Sequence, residues 1–334
     1  MKKDTSITNK LTEILNKYNE NNILSYEDSL FILDLPDEDL PKLFEVVYTI
    51  RKKYKGDTVS INILTNVRSG DCSENCVYCS QSYNSETNVD KYKLVSYEKL
   101  LKNNYIVKEK NLERHCIGFS GIKFDDHEID DFVNYIAKLK KEINTSICCS
   151  IGFLTPTQAK KLKDAGVDRI NHNLNTSRNH YKNICSTHTY DERIENIKML
   201  KNIGFEICCG GIIGIGESKE DVVDMLFSIK EINPNAIPIN FLVPIIGTTI
   251  AKTNKYQYLP SEYCLKVLAL TRLLNPKSDI RCAAGRETYL KGKEKLMFYA
   301  VDSIFAEGYL TVDGQTLDDT IKIITDAGFQ YCIE

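Results

Sequence analysis

Cys72, Cys76 and Cys79 stand within one short stretch, Cys72-Ser73-Glu74-Asn75-Cys76-Val77-Tyr78-Cys79, led in by Ser69-Gly70-Asp71. Cysteine thiolates hold iron–sulfur clusters, and three of them on a four-iron cluster leave one iron without a protein ligand. An open coordination position is where a metal centre does chemistry, as in catalytic zinc sites. The stretch therefore reads as a reactive metal centre with one free corner.

Other cysteines lie far along the chain. Cys116, Cys148-Cys149, Cys208-Cys209 and Cys282 each fall in a short apolar run with the character of a strand. Side chains alternate across a strand, so each Cys-Cys pair offers one thiol to a given face. A single buried cysteine is commonly just a small apolar residue. Thiols on four strands that close into one barrel, the architecture expected below, point instead to a second cluster inside it. Arg281 is costly to bury unless paired or coordinated. It either faces outward to a surface acid, or contacts the second cluster or a substrate anion.

Amides form the next concentration. Alternation puts Asn171, Asn173 and Asn175 on one face, where they can read ribose hydroxyls or a urea, and turns His172 the other way into a structural role. Asn240 adds another amide, in Pro238-Ile239-Asn240-Phe241. A turn-forming role competes for each of these, most credibly for Asn175. Gly210-Gly211-Ile212-Ile213-Gly214-Ile215-Gly216-Glu217 invites a dinucleotide reading, but no third glycine lies at the required spacing and no acidic partner sits at the end of a following strand. Close approach of the backbone to a flat ligand accounts better for these glycines.

These residues need elements to position them. Residues 6–56 read as helical, with Leu11, Ile14 and Leu15 at helical spacing and Gly56 as a stop. From Val59 short apolar runs alternate with amphipathic stretches. Strands are expected at 59–64, 115–119, 146–151, 168–173, 205–213, 237–243, 279–283 and 300–305. Helices are expected at 97–109, 128–143, 156–164, 190–203, 218–231, 261–274 and 317–327. This rhythm predicts an α/β fold, a (β/α)8 TIM-type barrel with an N-terminal helical extension. The expected division is 1–56 for the extension, 57–316 for the barrel and 317–334 for a C-terminal helix packed on it. The cysteine loop then follows the first strand, at the barrel mouth where such folds place active sites.

Composition narrows the class. With 43 basic against 46 acidic residues there is no basic field, so no nucleic-acid partner is expected. No apolar run is long enough to span a bilayer, and no signal-like segment opens the chain, so no membrane association is expected. Twelve cysteines in a chain of this length suit reduced thiols, several of them metal ligands, in a cytoplasmic protein. Cys185, Cys264 and Cys332 are left as structural.

Cys72-x-x-x-Cys76-x-Tyr78-Cys79 resembles the signature of the radical S-adenosylmethionine superfamily. The chain further resembles the biotin synthase family, through Ser69-Gly70 to Cys79-Ser80-Gln81-Ser82, Asn171-His172-Asn173-Leu174 and Thr189-Tyr190-Asp191-Glu192-Arg193. The glycine stretch, Pro238-Ile239-Asn240 and Ala284-Gly285-Arg286-Glu287 match as well. The resemblance implies a 4Fe–4S cluster on Cys72, Cys76 and Cys79 whose open iron chelates S-adenosylmethionine. Reductive cleavage of that cofactor gives a 5′-deoxyadenosyl radical. It implies Tyr78, Asn173, Asn175, Arg193, Gly214 and Val243 around this cofactor, and Asn173, Asn240 and Thr311 around the substrate, dethiobiotin. It implies an auxiliary cluster on Cys116, Cys148, Cys208 and Arg281 as the sulfur source, of 2Fe–2S or 4Fe–5S type, with Cys282 as an extra thiolate. A reductant such as flavodoxin or ferredoxin and a homodimer are implied by the same resemblance.

The sequence departs from the family pattern where its usual acid is Asn175, and Gly308-Tyr309-Leu310-Thr311-Val312 follows the family's carboxylate loop only in part. Two other functions stand beside sulfur insertion. One is the same radical chemistry on another substrate, of hydrogenase-maturase or methylornithine-synthase type. The other is a non-catalytic iron–sulfur or zinc regulatory protein.

Overall fold

The computed structural model describes residues 2–21, 23–311 and 314–331; Val312 and Cys332 lie outside them. The strands are β1 (Ser60–Arg68), β2 (Arg114–Phe119), β3 (Ile147–Ser150), β4 (Arg169–Asn171), β5 (Glu206–Cys208), β6 (Gly211–Ile213), β7 (Ala236–Phe241), β8 (Asp279–Cys282) and β9 (Ser303–Ala306). All are parallel, in the order β5-β4-β3-β2-β1-β9-β8-β7-β6, and a β5–β7 pairing closes the sheet into a barrel.

Alternation sorts β1 into two faces. Ile61, Ile63 and Val67 join the apolar layer under the helices, while Leu64 packs with the small cluster inside the lumen. β-Branched residues suit that half-buried pleated surface. The lumen cluster contains Cys116, Cys148, Cys208 and Ala236, with Leu64 and Phe305 against it.

The stretch expected as one strand at 205–213 is two, β5 and β6, broken at Cys209-Gly210. A side chain at Gly210 would have its Cβ 1.9 Å from the Pro238 carbonyl oxygen, so the backbones of two neighbouring strands approach closely there. The Gly210 N–H leaves the ladder and donates to the Asn173 side-chain oxygen at 2.9 Å. Both halves fill one position of an eight-position barrel: Cys208 and Gly211 pair with β7 on one side, and with Asn171 and Asn175 on the other. The last strand begins at Ser303 rather than at residue 300, because a helix, Glu294–Ala300, runs up to it.

Helices Tyr97–Glu109, Pro156–Asp164 and Ser261–Leu274 have the expected bounds. Four short ones, Tyr181–Ile184, Thr249–Thr253, Arg286–Tyr289 and Glu294–Ala300, are too brief for a periodic signal. Several helices outside the barrel start on reciprocal caps, among them Asp125 with Glu128 and Thr189 with Glu192. Each such cap contributes about 1 kcal/mol.

The N-terminal helices Lys2–Asn21, Tyr26–Leu33 and Leu40–Lys55 lie against the outer helices of the barrel, where the Tyr18 hydroxyl donates to the Leu273 carbonyl at 2.7 Å. After helix Leu317–Asp326 the chain returns to the foot of β1: the Val59 N–H donates to the Gln330 carbonyl at 2.6 Å. Among the described residues no helix is long and apolar enough to cross a membrane.

Candidate active site

The loop after β1 is held from three sides. The Gly70 N–H donates to Gln81 Oε1 at 3.0 Å, and Ser120 Oγ donates to the Gly70 carbonyl at 2.6 Å. Val77 bonds through its N–H to the Ile184 carbonyl and through its C=O to the Ile250 N–H. A turn with the Cys79 N–H on the Cys76 carbonyl brings those two cysteines to one wall. Cys72, Cys76, Tyr78 and Cys79 all line a cavity of about 410 Å³ at the C-terminal mouth of the barrel. Their thiols are free of disulfides, and burial pushes Cys79 up to about 11. Three thiols lining one cavity, with no fourth among its lining residues, are the donor set that a four-iron cluster with one open iron requires.

Behind this wall is a polar chain that sequence reading missed. Cys185 Sγ lies 3.8 Å from Cys76 Sγ and 3.4 Å from His188 Nδ1, and His188 Nδ1 lies 2.5 Å from Glu74 Oε2. Arg193 Nη2 donates to His188 Nε2 at 2.8 Å. A guanidinium only donates, so Nε2 accepts and Nδ1 carries the proton toward Glu74. Cys76, Cys185 and His188 gather within 4.8 Å, yet both ring nitrogens are occupied and Arg193 is a cation beside them. This cluster therefore orients Cys76 rather than forming a metal site of its own. Only the His188 spacing to Arg193, five residues along the same segment, hinted at it.

Arg193 is anchored further. Its Nη1 donates to the Asn173 carbonyl at 3.1 Å and its Nε to the Tyr181 hydroxyl. These bonds use three of five donors, leaving two toward the cavity it lines. Asn173 spends its side-chain oxygen on the Gly210 and Asn171 N–H groups. No described residue accepts from its amide nitrogen. Asn240 bridges strands, its Nδ2 donating to the Gly211 carbonyl at 3.1 Å and its Oδ1 accepting from the Ala284 N–H at 3.2 Å. Both amides line the mouth cavity, as do Asn175, Val243 and Thr311. Asn175 has φ 70° and bridges to Gly211, so it does form the turn. Thr311 shares a 2.9 Å hydrogen bond with Ser80, tying the last barrel loop to the cysteine loop.

Below the mouth lies a second cavity of about 40 Å³, lined by Cys116, Cys148, Cys208 and Arg281. Register explains the convergence: Cys116 pairs with Cys148 across β2–β3, and Asn171 pairs with Cys208 across β4–β5. Asn171 Nδ2 donates to Cys208 Sγ at 3.1 Å and to Asn173 Oδ1 at 3.1 Å, which links the two levels. Arg281 faces inward, not toward a surface acid. Its Nε donates to Ser303 Oγ at 2.8 Å, its Nη2 to Asn62 Oδ1 at 3.0 Å and its Nη1 lies 3.9 Å from Cys116 Sγ. Three buried thiols and a guanidinium without a carboxylate partner suit an anionic iron–sulfur cluster. Ser150, Asn171, Phe305, Tyr309 and Leu310 line both cavities and form the partition between them.

Four expectations are corrected. Cys282 is not with the other thiols. Its register partners Ile239 and Ile304 belong to the apolar layer under the helices, as it does, and burial there pushes its thiol up to about 12. Alternation with the inward Arg281 requires this. Gly214 does not line the mouth cavity. It opens a loop at φ 97° whose N–H donates to Glu217 Oε1 at 2.7 Å. The close approach at the glycine stretch is to protein, Pro238 and Met225, and not to a ligand. His172 does line the cavity, stacked edge-on to Phe153 at 5.0 Å with Nε2 unpartnered, because β4 ends at Asn171 and alternation stops with it.

Residues 66–229 match the Radical SAM superfamily and residues 238–330 the Biotin and Thiamin Synthesis associated domain. The chain is 44% identical over 307 residues to biotin synthase of Geobacillus kaustophilus, covering 92% of this chain and 91% of that protein. It is 42% identical over 304 residues to biotin synthase of Bacillus subtilis (strain 168), covering 91% and 90%. In fold it is similar to methylornithine synthase, with TM-score 0.82, 18% identity and coverage of 96% and 97%. It is similar also to HydG, a maturase of the [FeFe]-hydrogenase, with TM-score 0.82, 20% identity and coverage of 98% and 76%. A barrel with one thiol set at its mouth, another in its depth and these relatives over nearly its whole length belongs to the biotin synthase family of radical SAM enzymes.

Proposed function

We propose that this enzyme inserts sulfur into dethiobiotin to form biotin, using S-adenosylmethionine at the mouth and an auxiliary iron–sulfur cluster in the depth of the barrel. The observation that carries the reading is that two separate thiol sets face one lumen, with amide-bearing strands between them. Family membership implies the 4Fe–4S cluster and S-adenosylmethionine. When bound, the mouth groups supply a radical that abstracts hydrogen from unactivated carbon, and the deep cluster supplies sulfur.

The chain's own residues bind, orient and exclude. Cys72, Cys76 and Cys79 hold the mouth cluster, with Cys76 steadied by the Cys185–His188–Glu74 chain. The two remaining Arg193 donors take the cofactor's carboxylate, and the Asn173 amide nitrogen reads a ribose hydroxyl or the ureido oxygen. Asn240, already fixed between strands, presents its polar edge to the same ring. Thr311 lies beside the bound substrate through its bond to Ser80. Cys116, Cys148, Cys208 and Arg281 hold the deep cluster. Phe305 and Tyr309, 5.4 Å apart between ring centroids, keep water from it. Placing cofactor and substrate in one cavity converts a bimolecular encounter into a positioned one.

The relatives at 42–44% identity favour this substrate over hydrogenase-maturase or methylornithine-synthase chemistry. The proposal extends to a flavodoxin- or ferredoxin-type reductant, a homodimer and a cytoplasmic location. Anaerobic incubation with dethiobiotin, S-adenosylmethionine and reductant should yield biotin; cofactor cleavage without biotin would sink the reading. Iron counts on a Cys72→Ala/Cys76→Ala/Cys79→Ala variant give the size of the deep cluster, about two or about four irons by cluster type.

A further inference from the structure

Arg169 belongs to the deep centre by position, yet no role has been given to it. It is the register partner of Cys148 across β3–β4, so its side chain leaves the sheet on the same, lumenal face. The residue is 4% exposed. Its Nε donates to Glu206 Oε2 at 2.8 Å and its Nη2 contacts Asp279 Oδ2 at 3.4 Å. Those two carboxylates fix the guanidinium plane. Nη1 is buried with no hydrogen-bond partner. A buried guanidinium nitrogen left unpaired is costly, and this one belongs to a residue on the lumenal face, between the strands that carry Cys148 and Cys208.

The surrounding charges make the same point. Lys55, Arg114, Arg169 and Arg281 are cations at this level, and the carboxylates that pair with the first three are Glu113, Glu206, Asp279 and Asp302. Asp302 is engaged by Arg272. Arg281 bonds only to neutral oxygens and to sulfur. Among the described residues Arg281 is therefore the lumenal guanidinium that no carboxylate pairs with.

We propose that Arg169 is a positioning residue of the deep centre, whose Nη1 donates a hydrogen bond to an anionic sulfur, thiolate or sulfide, held there. This rests on reading that centre as an iron–sulfur cluster. A hydrogen bond and a fixed cation at the sulfur stabilise the more anionic, reduced state and slow loss of iron and sulfide. Arg169 touches no substrate and acts through the cluster.

The test uses the full chain with the mouth cluster removed by Cys72→Ala, Cys76→Ala and Cys79→Ala, reconstituted anaerobically with iron and sulfide. In that background Arg169→Gln and Arg169→Lys are compared with Arg169. Three readouts are taken: midpoint potential, visible charge-transfer bands and the rate at which a chelator extracts iron. Arg169→Gln should load iron, show a lower potential and lose iron about 10-fold faster. Arg169→Lys keeps a cation for Glu206 and Asp279, so the chain should melt at the parent temperature. It lacks the third planar nitrogen, so its bands should shift and its extraction rate should rise. Unchanged bands and extraction rate in Arg169→Lys overturn the hydrogen bond, as do changes in either variant that track only a lowered melting temperature of the iron-free chain. Failure of the parent to bind any iron defeats the deep-cluster reading itself, a result distinct from failure of the Arg169 proposal.

Discussion

At the scale of residues, the direction in which each sulfur points decides its role. Cys148 and Cys208 face the lumen with Cys116, whereas their neighbours Cys149 and Cys209 join the outer apolar layer. Cys282 is of the second kind. Cys208→Ala is expected to abolish deep-cluster iron, while Cys282→Ala keeps it and costs about 1 kcal/mol of unfolding free energy. Iron analysis and urea unfolding of the two variants check this, and iron loss in Cys282→Ala would return that thiol to the ligand set. Asn173→Ala removes an unpaired amide nitrogen and two acceptor contacts. We expect kcat/KM for dethiobiotin to fall at least about 100-fold, corresponding to about 3 kcal/mol of lost transition-state binding, with both clusters still loaded by iron count.

At the scale of elements, the eight-position rhythm and the placing of the cysteine loop at the mouth were legible, because apolar periodicity is local. Alternation also assigned one thiol per Cys-Cys pair to the lumen. What escaped was set by tertiary contact. The break at Cys209-Gly210 exists because the Pro238 backbone presses in and Asn173 takes the Gly210 N–H. Neither is visible in the run Ile207-Cys208-Cys209-Gly210. Gly210→Ala should therefore destabilise the fold by about 3 kcal/mol through overpacking, measured by urea unfolding. A stability equal to the parent would contradict the close approach. His172 was misassigned because alternation was carried one residue beyond the end of β4. Cys185 was missed because its nearness to Cys76 depends on two loops, 109 positions apart, meeting over the mouth.

At the scale of the molecule, the barrel separates two thiol sets in depth and buries polar side chains among its strands. His115 on β2 shows the consequence for pH. It is enclosed between Thr65 Oγ1 at 2.7 Å and Asn104 Oδ1 at 3.3 Å, and burial pulls its pKa down to about 3. The folded chain thus keeps the ring neutral, while the unfolded chain protonates it near pH ~6.5. Its contribution to stability is complete above pH ~6.5 and is lost as pH falls toward about 3. The iron-free chain should lose stability between pH 7 and 5, and His115→Gln should lose about 2 kcal/mol less. Parallel pH profiles for the two proteins would contradict this. The central claim, that the deep centre gives its sulfur to the substrate held above it, has a direct measurement. The enzyme is reconstituted with heavy-isotope sulfide, freed of excess sulfide, and given dethiobiotin, S-adenosylmethionine and reductant for a single anaerobic turnover. Biotin carrying the heavy isotope is expected, and none from Cys208→Ala. Unlabelled biotin, or labelled biotin from Cys208→Ala, would contradict it.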